Sequence, residues 1–257
     1  MTPFYLEVPT IISELKVIKE INILNTNAID RWIFKESKIS VARRIALESH
    51  SFILPENLEE LFLIPNCATL HWIYKKDLYE EQISGYFQLV NIFDSFCLNK
   101  YTIQGYSEVF DEREVPIETR ELFRKSRYID YIENYGYACI MKEDNNTWDL
   151  NSIWFMEEEE LTFRKLDLDL ETYFKTVLTL KGANYWQFLF YDNVAKENYI
   201  DCYYMEHICR WVVKLPELFP NHDYSEVIKR YKFIAENNPN ERDIFSTNEK
   251  LKALGLW

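Results

Sequence analysis

The sequence predicts an α+β fold that ends in a helical extension, and three observations carry this. Apolar residues alternate in 68–74, as strands require, and 85–93 is a second β-prone run. Two further β-prone runs, 137–141 and 148–155, flank the polar turn KEDNNT. Apolar residues then recur at helical spacing within 170–181 and through most of 198–257.

Taken in chain order, residues 10–24 mix helical and strand spacing. Ile11, Leu15, Ile18 and Ile21 line one helical stripe, so the stretch reads as a helix. Residues 40–47 enter the core as a short helix or a strand. In 52–65, Pro55 fits a first helical turn, Glu56 and Glu59 suit the positive end of a helix dipole, and Pro65 marks the exit. Within 68–74, Ala68, Leu70, Trp72 and Tyr74 face one way while Thr69, His71 and Ile73 face the other. Residues 100–105 form a weaker strand candidate, and 111–126 read as a charged loop followed by a short helix after Pro116.

Asp144, Asn145 and Asn146 are turn formers, which makes 137–155 a hairpin. Asp169 can cap a helix whose apolar residues are Leu170, Phe174, Val177 and Leu178. Gly182 supplies its left-handed stop. Further on, Ile200, Tyr204, Ile208, Trp211 and Val212 form a stripe ending before Pro216. Val227, Ile228, Tyr231 and Ile234 mark a helix after Asp223. Ser246 and Glu249 pair as a capping box before Leu251 and Leu254, with Gly255 as the stop. The organisation expected is a principal domain over 1–197, with the helices of 198–257 packed on it.

At 257 residues, 47% hydrophobic and 16% aromatic, the chain has ample material for a core. Its net charge of −13 argues against nucleic acid or an anionic membrane as ligand and permits a basic protein partner, though solubility alone also explains it. Five scattered cysteines without a CxxC pair read as core thiols in a reducing cytoplasm. The opening MTPFYLEVPTIISELK lacks the basic region of a signal peptide, and no apolar run approaches a bilayer span.

Catalytic and metal chemistry find little footing. The histidines His50, His71, His207 and His222 form no HxxxH, HExxH or HxH pattern. Cys202, His207 and Cys209 lie on a helical segment at spacings poorly suited to one ion. GxGxxG, GxxxxGK[ST] and GxSxG are all missing from the sequence, and the acidic clusters have no spacing that demands an acid–base pair. The expectation is a binding protein that needs no metal or cofactor.

Three pieces of the chain together resemble the SUKH superfamily, which includes the yeast Smi/Knr cell-wall regulator and many bacterial immunity proteins. They are LPENLEEL at 54–61, the hairpin of 136–155, and LDLDLETYFKTVLTLKGANYWQFLF at 166–190, with Gly182, Trp186 and Gln187 in the family's closing order. The likeness covers about 40–192. It departs from the family pattern after Pro65, where the chain has Asn66 and Cys67 in place of an Asn-Gly turn. The resemblance implies a mainly antiparallel sheet with helices packed around it. It also implies a protein-binding role, often the neutralising of a toxin made by a neighbouring gene.

The candidate contacts for such a partner are Glu157, Glu158, Glu159 and Glu160, four adjacent carboxylates whose repulsion a basic surface would relieve. Asp111 and Glu112 come next. A solvated strand end explains the first group equally, and a charged loop the second. Trp72, Tyr74, Tyr86, Phe87, Trp148, Trp154 and Phe155 are expected on strands, where an exposed subset could anchor an interface. The function expected is stoichiometric neutralisation of a basic, nuclease-like toxin. A regulatory module binding an endogenous protein is the alternative, and an enzyme or small-ligand binder is a third.

Overall fold

A computed structural model describes residues 4–26, 41–53, 68–75, 82–90, 95–96, 115–132, 135–144, 147–192, 202–237 and 242–257. Among these, seven strands form one antiparallel sheet in sequence order: β1 (Ile21–Asn25), β2 (Ala68–Tyr74), β3 (Ile83–Leu89), β4 (Ser126–Ile132), β5 (Gly136–Lys142), β6 (Trp148–Glu157) and β7 (Thr162–Leu166). The helices are α1 (Phe4–Val17), α2 (Val41–Ser49), α3 (Ile117–Lys125), α4 (Leu170–Thr179), α5 (Cys202–Leu218), α6 (Ser225–Asn237) and α7 (Arg242–Ala253). The fold is α+β with a C-terminal helical part.

Both faces of the sheet are covered, unequally. One face holds the main core, where Leu70, Trp72, Phe87, Ile140, Ile153 and Phe155 meet α1, α4 and the C-terminal helices. Ile208, Trp211, Val212, Tyr231 and Leu251 belong to that same cluster. The opposite face carries a smaller cluster of Val115, Phe123, Tyr128, Tyr137, Cys139, Met141 and Met156, under the short helix α3.

The start of α4 follows the expected chemistry, while at its end Lys181, at φ 53, is the first left-handed residue and Gly182 the second. The Asp169 carboxylate accepts from the Thr172 backbone N–H at 2.7 Å, while the Asp169 N–H donates to the Thr172 hydroxyl at 3.0 Å, a reciprocal capping box. Gly182 adopts φ 66, and a Cβ there would lie 2.7 Å from the Tyr86 carbonyl oxygen. Gly85 is needed on the other side of this contact, since its own Cβ would lie 2.7 Å from the Lys181 carbonyl. That carbonyl accepts from the buried Trp72 indole at 2.7 Å, and the Tyr86 N–H donates to Gly182 O at 2.8 Å. Two glycines thus let the end of α4 lie directly on β3.

Asp130 is a buried acid that the sequence reading did not single out. It is fully buried, where β4 shifts register against β5 between Tyr128 and Asp130. Its carboxylate accepts from the Gln88 N–H at 2.9 Å and from the Tyr173 hydroxyl at 2.8 Å. The ladder between β3 and β4 is short, with pairs at Gln88↔Tyr131 and Leu89↔Asp130, so a side chain reinforces it. Burial raises the Asp130 carboxyl to about 7 despite those hydrogen bonds.

Several expectations are corrected. The stripe of Ile11, Leu15, Ile18 and Ile21 is divided, because α1 ends at Val17 and Ile21 opens β1. Residues 40–47 resolve to the helix α2. The helix α5 runs through Pro216, which sits in its last turn, where a missing N–H disturbs only the end of the ladder. Ser246 and Glu249 do not start a helix; α7 has already begun at Arg242. The strands β4 and β7 are additions, and β7 lies between the acidic run and α4. The helix expected after Pro55 and the strand expected at 100–105 lie outside the described residues.

Candidate functional site

The acidic run forms the turn between β6 and β7, at one end of the sheet. Glu157 closes β6 opposite Thr162, residues 158–161 make the turn, and Leu161 completes it in the left-handed region at φ 52. The neighbouring β4–β5 turn braces it, because the Glu158 N–H donates to the Tyr135 carbonyl at 3.0 Å.

The four carboxylates divide into two kinds. Glu157, expected as a contact, has a side chain only 6% exposed, which removes it from the rim. It accepts from Arg164 Nε at 2.8 Å and from the Tyr191 hydroxyl at 2.9 Å. Its side of β6 is the Phe155 side, so the strand alternation that buries Phe155 also buries this carboxylate. Burial pushes the Glu157 carboxyl up, and Tyr191 and Arg164 offset part of that rise. Glu158 is half-buried, while Glu159 and Glu160 are exposed. Arg164 also reaches Glu160 at 3.5 Å, so part of the repulsion is relieved within the chain.

The turn has a different neighbour on each face. Toward α3 lies a groove of about 450 Å³ whose walls include Val115, Leu122, Leu161 and Phe163, with Glu160 on its lining. Asp111 and Glu112 lie outside the described residues; in sequence they precede Val115 by four and three positions. On the main-core face lies a cluster of Tyr135, Tyr185, Tyr203, Tyr204 and His207. Its ring centroids include Tyr135–Tyr185 at 4.7 Å, Tyr185–His207 at 4.9 Å and Tyr185–Tyr203 at 5.7 Å. Tyr203 is 53% exposed.

The aromatics expected on strands, a subset of which could have been exposed anchors, are buried or half-buried. Trp72, Tyr74, Phe87 and Phe155 are core residues, and Tyr86, Trp148 and Trp154 are half-buried. Among the described residues the exposed rings are Tyr203, on α5, Phe233, on α6, and Phe245, on α7; only Tyr203 lies beside the acidic turn's aromatic cluster. The doublet Tyr203-Tyr204 was the available signal, with one ring on the apolar stripe and the other beside it.

A second charged cluster lies under the C-terminal helices. Lys181, fully buried with φ 53, holds its ammonium 3.1 Å from Glu14 Oε2, 3.2 Å from His222 Nε2 and 4.2 Å from the Phe219 ring centroid. Glu14 Oε2 also lies 2.9 Å from His222 Nε2. Burial lowers the Lys181 amine, and the Glu14 charge opposes this. Burial raises Glu14, but the His222 hydrogen bond and the Lys181 charge outweigh it and hold the carboxyl low. With its amine closed off from solvent, Lys181 ties α1 to the segment after α4 and to the turn between α5 and α6.

Among the described residues, no three His, Cys, Asp or Glu side chains are grouped so as to hold a metal ion. Cys209 is buried, with its sulfur 3.8 Å from the Tyr231 hydroxyl, and burial pushes the Cys139 thiol up, which keeps it unreactive. No helix of the described residues is long and apolar enough to cross a membrane. No family model, no curated protein and no solved structure matches this chain.

Proposed function

We propose that this chain is a protein-binding module of SUKH-like type. It binds and neutralises a cognate toxin, a basic nuclease-like domain, by stoichiometric association through the end of the sheet that carries the acidic turn. The observation that carries the reading is the partition of the acidic run. Glu157 is committed inward to Arg164 and Tyr191, and it anchors a turn that displays Glu158, Glu159 and Glu160. A turn held this way presents charge with little ordering left to do on binding. The apolar groove beside it offers a dry contact, and the net charge of −13 favours encounter with a basic surface. A nuclease active site is basic because its substrate is polyanionic, so an acidic turn can occupy it in the substrate's place.

The test is co-expression with the toxin encoded beside this gene. Rescue of growth and a 1:1 complex on a sizing column are expected. Unchanged killing with no complex would overturn the reading, and a housekeeping protein recovered in its place would move it to a regulatory module.

A further inference from the structure

We infer that the tyrosine cluster beside the acidic turn is the seat for one arginine side chain of the basic partner. The inference rests on the proposed function and deepens it, by naming a contact that the acidic turn alone does not specify.

The rings come from three separate places: Tyr135 from the β4–β5 turn, Tyr185 from the segment after α4, and Tyr203, Tyr204 and His207 from the first turns of α5. Tyr185 sits at φ 66, a left-handed conformation that a bulky residue rarely adopts and that costs on the order of 1 kcal/mol. In that conformation its ring stands edge-on to Tyr135, and its hydroxyl lies 3.3 Å from the Tyr203 hydroxyl. Tyr204 stacks on Phe188 at 4.1 Å, which ties the cluster to the core. The result is a braced aromatic wall whose outer ring, Tyr203, is open to solvent.

Three features give the wall its preference. Aromatic faces are negative and attract cations, and a guanidinium does this best because it can lie flat on a ring while its edge N–H groups reach a carboxylate. Such a carboxylate is at hand. The Glu158 N–H donates to the Tyr135 carbonyl at 3.0 Å, which sets the acidic turn directly against the cluster. At the base of the cluster the Tyr135 hydroxyl is buried without a hydrogen-bond partner among the described residues, an acceptor that an N–H group would satisfy.

The chain already uses this chemistry once, one layer inward. There the guanidinium of Arg164 lies 5.6 Å from the Tyr191 ring centroid while its Nε donates to Glu157. The aromatic cluster and the acidic turn set the same two kinds of group, tyrosine rings and carboxylates, side by side at the surface.

The test uses the full chain and three small probes: the acetyl amides of arginine, lysine and citrulline, the last being arginine's uncharged isostere. Aromatic-region NMR is expected to show Tyr185, Tyr203 and His207 signals moving with arginine. Arginine should bind at least about fivefold more tightly than citrulline and more tightly than lysine. Tyr203→Ala should weaken arginine binding about tenfold, while Tyr203→Phe, which keeps the ring, stays within about twofold. Tyr135→Phe should weaken it about twofold without lowering the melting temperature, an effect a purely structural hydroxyl would not have. Equal binding of arginine and citrulline, equal binding of lysine and arginine, or indifference to Tyr203→Ala would each overturn the seat. These probes need no toxin, so failure of the seat is read separately from failure of the toxin rescue.

Discussion

The acidic turn at 158–160 and the cluster of Glu14, Lys181 and His222 are both gatherings of charge, and they are built in opposite ways. The inner cluster joins three distant parts of the chain, keeps every charge beside an opposite or neutral partner, and hides the ammonium completely. The turn gathers like charges from adjacent positions and leaves two of them in water. Burying a charge demands a partner within the chain, whereas exposed like charge is tolerated because water screens it. The first arrangement therefore reads as assembly of the fold and the second as a surface kept for something else. Glu157 stands between them, adjacent in sequence to the outer group and placed in space with the inner one.

The comparison can be broken by exchanging carboxylates for amides. The largest effect is expected at Asp130, the most deeply buried carboxylate. Its carboxyl is about 7 in the fold against an ordinary 3.8, so the native state holds its proton more tightly than the unfolded chain. Wild-type stability should therefore fall as pH rises from about 4 to 7, by up to about 4 kcal/mol. Asp130→Asn should remove that slope and raise the urea midpoint at pH 8, with little change at pH 4. A wild-type profile flat over this window would contradict the assignment.

Next comes Glu14→Gln, which leaves the Lys181 ammonium buried without its carboxylate and should destabilise by about 3 kcal/mol at pH 7. Because Glu14 is held low, its contribution is complete above its ordinary value near 4.5 and is lost as pH falls through its folded value, so the variant and wild type should converge in acid. Lys181→Met added to Glu14→Gln should recover most of the loss, since an apolar side chain fills the site without a charge. Additive losses in the double variant would show that the two do not act as a pair.

Arg164→Met sharpens the boundary case. It strands the Glu157 carboxylate with Tyr191 alone and should cost about 2 kcal/mol at pH 8. The Glu157 carboxyl is raised in the fold, so its penalty sets in as pH climbs past about 4.5, and the loss should shrink at pH 4. A loss independent of pH would assign Arg164 to packing alone.

Much of the frame was legible because it rests on local chemistry. The alternation in β2, the Asp169 cap and the Gly182 stop each follow from residues within a few positions. What was hidden depends on distant partners. The strand β4 follows a charged helix without a break, and β7 is five residues with two cations, so neither has a clear period. Asp130 meets Tyr173 across 43 positions, and Glu14 meets His222 across 208. Glu157 looks like its three neighbours in sequence, and only the phase of β6 separates it from them. The aromatic cluster joins residue 135 to 185 and 203–207, which no local pattern links.

The central claim is that the outward charge serves association and leaves folding alone. The direct measurement pairs the association rate with the toxin and the melting temperature, for wild type and for a variant carrying Glu158→Gln, Glu159→Gln and Glu160→Gln. The account expects association to slow by about tenfold at low salt, with stability within about 0.5 kcal/mol of wild type. An unchanged rate, or a large fall in stability, would contradict it.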